Sequence, residues 1–416
     1  MCVKNRAKVL WATLLFAVQF QVSYSIQAQE KYAFTVGRLD SIQSNVLDET
    51  RKFWVQLPAY YNPKKTYPVV YVLDGGVHLN AVSVVHSYYS GGFIPEMILV
   101  GISNQTHRNR DLTTSTLTEG PQLSYIKASG GAEKFIQFME EELIPYIETS
   151  YPATTYRTLI GHSYGGLFTL NALLNHGDLF ANYLAIDPSV DWNQQQLLRE
   201  AKPKFAQERF DGKAVFISLG GQLHMQDASI TLDNVRKDTT EFTRFARSNL
   251  AFTEAAKAAK GLRTDWKFYP NDPHGTLALP SIMDGLLTLF DWFPIEHTHK
   301  FNNPKTPVAD LSALVTARAK KLKEHFGYDV PPFDEELLTM LGYMNMDMEQ
   351  PAKSLAFFKF TLQYYPTSVN AHEAIADYYS AQKEYKTALS YLKKAYALEK
   401  QAHIAKKIDE LLLKMN

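Results

Sequence analysis

Two rhythms of apolar and polar positions run along this chain. In its first two-thirds, short unbroken apolar runs recur. They are Tyr67-Pro-Val-Val-Tyr-Val-Leu73, Met97-Ile-Leu-Val-Gly-Ile102, Thr158-Leu-Ile-Gly161 and Ala214-Val-Phe-Ile-Ser-Leu219. Runs of this length, rich in β-branched residues, predict strands buried on both faces, as in a parallel sheet covered by helices. Between them the period lengthens to that of a helix. Residues 132–150 carry Phe135, Phe138, Met139, Leu143 and Ile147 with charges between, and a second helix is predicted over Gly166 to Asn175. Lys52 to Leu57 reads as an antiparallel N-terminal strand on the sheet edge, and Asp265 to Tyr269 as the last strand.

From His297 the pattern changes. A Pro- and Asn-containing stretch without periodicity is followed by a predicted helix over Asp310 to Phe326 and by the Pro331-Pro332 break. The remainder repeats every 34 residues: Leu338 answers to His372, Gly342 to Ala376, Phe358 to Leu392 and Thr361 to Ala395. The second copy resembles a tetratricopeptide repeat, whose small and aromatic positions let two antiparallel helices pack closely. A plain helical hairpin without a peptide groove is the competing reading. Two copies fall short of the roughly three needed for independent stability, so the tail should dock on something, with 310–326 as the bridge. The predicted organisation is a catalytic unit over 29–300, a linker and bridging helix over 301–334, and helical repeats over 335–416.

Composition narrows the function classes. Lys plus Arg and Asp plus Glu are both 43, so no net basic charge points to nucleic acid or to an anionic membrane. Lys4, Arg6 and Lys8 precede the apolar stretch Val9 to Phe20, and the small residues Ser23, Ser25 and Ala28 follow. That is the layout of a signal peptide over 1–28, too short in its apolar part for the ~20 residues of a spanning helix. The expected location is therefore the periplasm or the exterior. The single cysteine, Cys2, leaves with the peptide, which removes disulfides, thiolate metal sites and cysteine nucleophiles together.

The sharpest chemical signal is Gly161-His162-Ser163-Tyr164-Gly165-Gly166, set between a predicted strand and a predicted helix. A Gly-x-Ser-x-Gly turn at such a junction exposes the serine hydroxyl above the sheet and aims a helix N-terminus at the same point. Ser163 is the candidate nucleophile. It needs a base, and in this architecture the histidine comes last, after the final strand. Of 12 histidines, His274 in Pro270-Asn-Asp-Pro-His-Gly275 has that position, with His224 as runner-up. The acid should follow the strand ending at Leu219, but the sequence there is Gly220-Gly221-Gln222. Asp238 is the provisional acid, with Asp227 as runner-up, and Asp233 and Asp272 further behind. Asp238-Thr-Thr-Glu241 also has the form of a helix capping box. A Ser–His dyad is a further alternative. For the oxyanion hole, the expected N–H donors are Tyr164 and Gly76, with Val77 as runner-up.

With these residues the chain resembles the putative-esterase family of α/β-hydrolases, which includes esterase D, feruloyl esterases, mycolyltransferases and enterobactin-type siderophore esterases. The resemblance rests on Tyr67 to Gly75, Arg108-Asn-Arg-Asp-Leu-Thr113, Ser129-Gly-Gly-Ala132, Leu143-Ile-Pro-Tyr146, Gly161 to Gly166 and His274-Gly-Thr276. It is closest to exported bacterial members with a tetratricopeptide-like tail. It implies a doubly wound α/β sheet and a serine carboxylesterase acting on a small-molecule ester. Gly220-Gly221-Gln222 departs from relatives that carry an acid there. Arg108, Arg110 and Asp111 are candidate substrate-binding residues, since their loop opens on the active edge of such a sheet. The alternative is an Arg–Asp pair that orders the loop. No histidine pair has metal-ligand spacing, and no Gly-x-Gly-x-x-Gly follows a strand, so neither metal nor nucleotide cofactor is expected. Two other functions use the same sequence features: acyl transfer to an alcohol, and a non-catalytic scaffold that binds protein partners, or a second copy, through its tail.

Overall fold

The computed structural model describes residues 36–118 and 121–415; the signal-peptide segment lies outside them. It divides into two compact units, one ending at Leu289 and the other running from Phe290, with residues 91–95 counted in the second.

The first unit is an eight-stranded sheet: β1 (Arg38–Ser44), β2 (Glu49–Gln56), β3 (Tyr67–Val72), β4 (Ile98–Ile102), β5 (Ala153–His162), β6 (Asn182–Ile186), β7 (Arg209–Gly220) and β8 (Lys260–Tyr269). Their spatial order is β1-β2-β4-β3-β5-β6-β7-β8. β1 and β2 are antiparallel to each other, β2 is antiparallel to β4, and β3 pairs in parallel with β4 and with β5. β5 to β8 continue the parallel ladder. Every residue of β3, β4 and β6 is buried, which explains their continuous apolar runs. The antiparallel strand expected at Lys52 is β2, but it is not the edge. That place belongs to β1, whose alternating polar residues face water.

Helices connect the strands: α1 (Gly75–Tyr89), α2 (Arg108–Leu112), α3 (Ala132–Phe138), α4 (Ile144–Ser150), α5 (Tyr164–Asn175), α6 (Trp192–Gln207), α7 (Arg244–Lys257) and α8 (Ala278–Leu289). A π-helical turn, Met139–Leu143, joins α3 to α4, so the single helix expected over 132–150 widens in its middle. This is the α/β-hydrolase arrangement. Parallel strands deliver their C-terminal ends, and the loops beyond them, to one edge of the sheet.

The second unit is helical: α9 (Val308–Phe326), α10 (Glu335–Asp347), α11 (Pro351–Tyr364), α12 (Val369–Ala381), α13 (Tyr385–Leu398) and α14 (Ala402–Met415). The repeat copies become the hairpins α10–α11 and α12–α13. Leu311 and Val315 of α9 share one apolar cluster with Phe301, Phe333, Leu338, Leu341 and Phe357. The helix expected to act as a bridge is therefore part of the tail's own core. Its first turns bury their apolar face against the first hairpin. Arg318 of α9 is largely buried and donates to the carbonyls of Phe293, Pro294 and Pro332, which ties the start of this unit to the Pro331-Pro332 break.

Candidate active site

Ser163 sits at the tip of β5 with φ 60° and ψ −116°, a conformation that an L-residue adopts only under constraint. The constraint is packing. A Cβ at Gly161 would lie 2.2 Å from the Gly165 carbonyl oxygen, and one at Gly166 would lie 2.8 Å from Pro188. The Ser163 N–H donates to Ile186 O, and the Ser163 carbonyl accepts from Leu167 and Ser189 N–H. The elbow is thus tied both to its own helix and to the loop after β6.

His274 lies in the loop after β8, as the sequence order predicts. Its Nδ1 is 2.6 Å from Asp187 Oδ2. A carboxylate only accepts, so Nδ1 carries the proton and Nε2 is left as the basic nitrogen. Asp187 is the first residue after β6, in a left-handed conformation (φ 41°), with its side chain 3% exposed. Its other oxygen accepts from Gly220 N–H at 2.9 Å. Neither predicted acid is near. Asp238 accepts from the N–H and hydroxyl of Thr240 and from the Thr243 hydroxyl. Asp227 accepts from the N–H and hydroxyl of Ser229. Both are local turn-forming residues, and these bonds hold their carboxyls below the ordinary range. The carboxylate beside His274 thus comes from one strand back, the tip of β6 rather than that of β7. Gly220 is what makes room: a Cβ there would lie 3.2 Å from Asp187 Oδ2 and 3.1 Å from Asp272 O.

Among the described residues, the partner of Ser163 Oγ is Ser189 Oγ at 3.3 Å, a long hydroxyl contact. Ser189 carries no local sequence mark; it lies on the same short loop as Asp187. His162 packs its ring 4.6 Å from that of His274, and its Nε2–H donates to the His274 carbonyl at 2.9 Å. Burial, then the neighbouring His274 and His78 rings, pull the His162 pKa down to about 3, so it stays neutral. Phe245 meets the His274 ring edge-on at 5.6 Å. On the other side of the elbow, Trp192 packs edge-on against Tyr164 at 5.2 Å.

The expected oxyanion donors lie at two helix N-termini. Tyr164 is the first residue of α5, and Gly76 is in the first turn of α1. The Val77 and His78 N–H groups are taken by Asp74 O at 2.8 and 3.1 Å, which favours Gly76 over Val77. Gly76 lines a cleft of about 440 Å³ together with Trp54, Asp74, Arg108, His162 and Gly275.

The three candidate substrate residues separate. Arg108 is in the cleft wall, bound to Asp74 and to His162 O. Asp111 is fully buried and pairs with Arg51 at 2.8 Å and Arg110 at 2.7 Å, and Arg110 also grips Glu49. Arg110 and Asp111 therefore follow the alternative reading, an Arg–Asp pair that orders the loop, and not substrate binding. They close a structural ion network with β2, in which Arg110 holds Glu49 at a pKa of about 2. Among the described residues there is no cluster of three metal-ligating side chains, and no helix is long and apolar enough to cross a membrane.

Comparison with known proteins agrees with this architecture. The family model described as Putative esterase matches residues 44–263. Ferri-bacillibactin esterase BesA of Bacillus subtilis is 33% identical over 224 residues, covering 49% of this chain and 77% of that protein. A siderophore enterobactin esterase of Emericella nidulans is 32% identical over 189 residues, covering 41% of this chain and 60% of the relative. The crystal structure of an IroE-like serine hydrolase from Shewanella oneidensis superimposes with a TM-score of 0.63 at 26% identity. That match covers 79% of this chain and 99% of that one.

Proposed function

The chain belongs to the putative-esterase family and is an ester hydrolase, and from that premise we propose that it is an exported serine carboxylesterase for siderophore-type esters, working through an acyl-enzyme at Ser163. The observation that carries the mechanism is the 2.6 Å contact of His274 Nδ1 with buried Asp187 beside the Ser163 elbow. The names of the relatives, both siderophore esterases, support the substrate class. The basic N-terminal segment followed by an apolar run supports export.

In this reading Asp187 fixes the Nδ1–H tautomer of His274. The Ser163 hydroxyl leaves Ser189, gives its proton to His274 Nε2 and attacks the ester carbonyl. The N–H groups of Tyr164 and Gly76 receive the developing oxyanion, where they cost no reorganisation because the helices already hold them. The imidazolium then protonates the departing alkoxide, and water repeats the sequence to release the acid. A fluorophosphonate probe should label Ser163, located by peptide mapping, and Ser163→Ala should lose turnover by several orders of magnitude while keeping its melting temperature. Labelling of another serine would sink the assignment.

A further inference from the structure

Asp74 is the N-cap of α1, in a left-handed conformation (φ 52°, ψ 45°), and its N–H is held by Asn104 Oδ1 at 3.0 Å. An aspartate at an N-cap ordinarily turns its carboxylate onto the second or third N–H of its helix; here the third, Val77, is given to Asp74 O, which leaves the second, Gly76. Asp74 makes no such bond. Its carboxylate is turned to Arg108 instead, whose Nε lies 3.0 and 2.9 Å from the two oxygens. Nη2 of the same guanidinium donates to His162 O at 3.1 Å, and its Cζ lies 5.5 Å from the centre of the Tyr164 ring. Arg108 thus touches both halves of the oxyanion hole: the residue before Gly75-Gly76, and the residues on either side of Ser163.

We propose that Arg108 is a positioning residue that keeps the oxyanion hole vacant. It withholds the Asp74 carboxylate from the free N–H groups at the starts of α1 and α5. It also fixes the two donors relative to each other through His162. Asp74 is 7% exposed with the guanidinium in place, and it lines the cleft beside those N–H groups. Asp74 Oδ2 already lies 3.7 Å from the Cβ position of Gly165, beside the start of α5. Without the guanidinium, the nearest uncompensated donors are the positive ends of those helices. A carboxylate there would occupy a donor and repel the oxyanion. That repulsion grows as negative charge develops on the carbonyl oxygen, so the larger part of the loss falls on the rate.

This inference rests on the reading of the site given above, so wild-type labelling of Ser163 is the first measurement; if it fails, that reading fails. With it established, Arg108→Ala should lower kcat about a hundredfold, the loss typical of one oxyanion donor, with KM within a few-fold. The decisive variant is Asp74→Ala combined with Arg108→Ala. Removing the second residue should restore at least tenfold of the lost kcat, because the misplaced carboxylate is gone. A double variant no faster than Arg108→Ala overturns the proposal, and so does an Arg108→Ala defect confined to KM, which would make Arg108 a substrate-binding residue. If Arg108→Ala does not fold, Arg108→Met, which removes the charge and keeps the bulk, gives the same comparison with and without Asp74→Ala: rescue supports the proposal and its absence refutes it.

Discussion

Asp187→Asn is the substitution whose effect the geometry determines most fully. It keeps the shape of the side chain and removes one charge. The orientation of the new amide is set by Gly220, whose N–H needs an acceptor at 2.9 Å. The amide oxygen takes that position and the NH2 faces His274 Nδ1, where the carboxylate oxygen stood at 2.6 Å. Two donors now oppose each other. The imidazole escapes by moving its proton to Nε2, the nitrogen that must accept from Ser163. Flipping the amide instead would leave Gly220 N–H unsatisfied in a buried site, at about 1–3 kcal/mol. A wrong tautomer in a Ser–His–Asp arrangement costs about 10⁴ in kcat, or roughly 5.5 kcal/mol of transition-state stabilisation. The assay is steady-state hydrolysis of a p-nitrophenyl ester, with Asp238→Ala and Asp227→Ala as comparisons. Both comparison variants should keep near-wild-type kcat, since their carboxyls serve local turns. Retention of activity within tenfold by Asp187→Asn would mean that a Ser–His dyad suffices and that the 2.6 Å contact is only structural.

Two further outcomes follow from the same loops. Gly220→Ala places a methyl 3.1 Å from Asp272 O and 3.2 Å from Asp187 Oδ2. It should lower both turnover and the urea midpoint, with a stability loss of about 1–3 kcal/mol, and an unchanged kcat would show that the acid does not need this room. His162 supplies a pH dependence. Its folded pKa of about 3 is below the 6.5 of the free side chain, so the unfolded chain takes up the proton first. Stability is therefore complete above pH 6.5 and is lost as pH falls toward 3, with about 2 kcal/mol gone by pH 5. Urea titrations at pH 7.5 and 5 should show this loss in wild type and a smaller one in His162→Gln; equal losses would refute the assignment.

The residues that sequence reveals here are those whose chemistry depends on local chain geometry. Ser163 is legible because a tight turn between a strand and a helix calls for the fixed Gly-x-Ser-x-Gly pattern of Gly161, Ser163 and Gly165. His274 is legible because chain order, its place in the loop directly after the last strand and the flanking Gly275 single it out among the histidines. Asp187 has no such mark. β6 is five residues long and opens with a polar Asn182, so the run Asn-Tyr-Leu-Ala-Ile does not stand out as a strand, and its tip does not stand out as the sheet's active edge. Asp238 shows the opposite failure. Its Asp-Thr-Thr-Glu pattern is a strong local signal, and the local role, hydrogen bonds to Thr240 and Thr243, is the one the structure displays. Arg110 and Asp111 are ambiguous in sequence: their loop opens on the active edge, and the partners Arg51 and Glu49 that extend the Arg–Asp pair into a network come from a distant strand. Yet the missing acid left a trace. Gly220-Gly221 was an empty place where a carboxylate was expected, and in the fold Gly220 both donates to Asp187 and leaves it space. A glycine at a position where chemistry is expected therefore points to a neighbour that has come close enough to need the room.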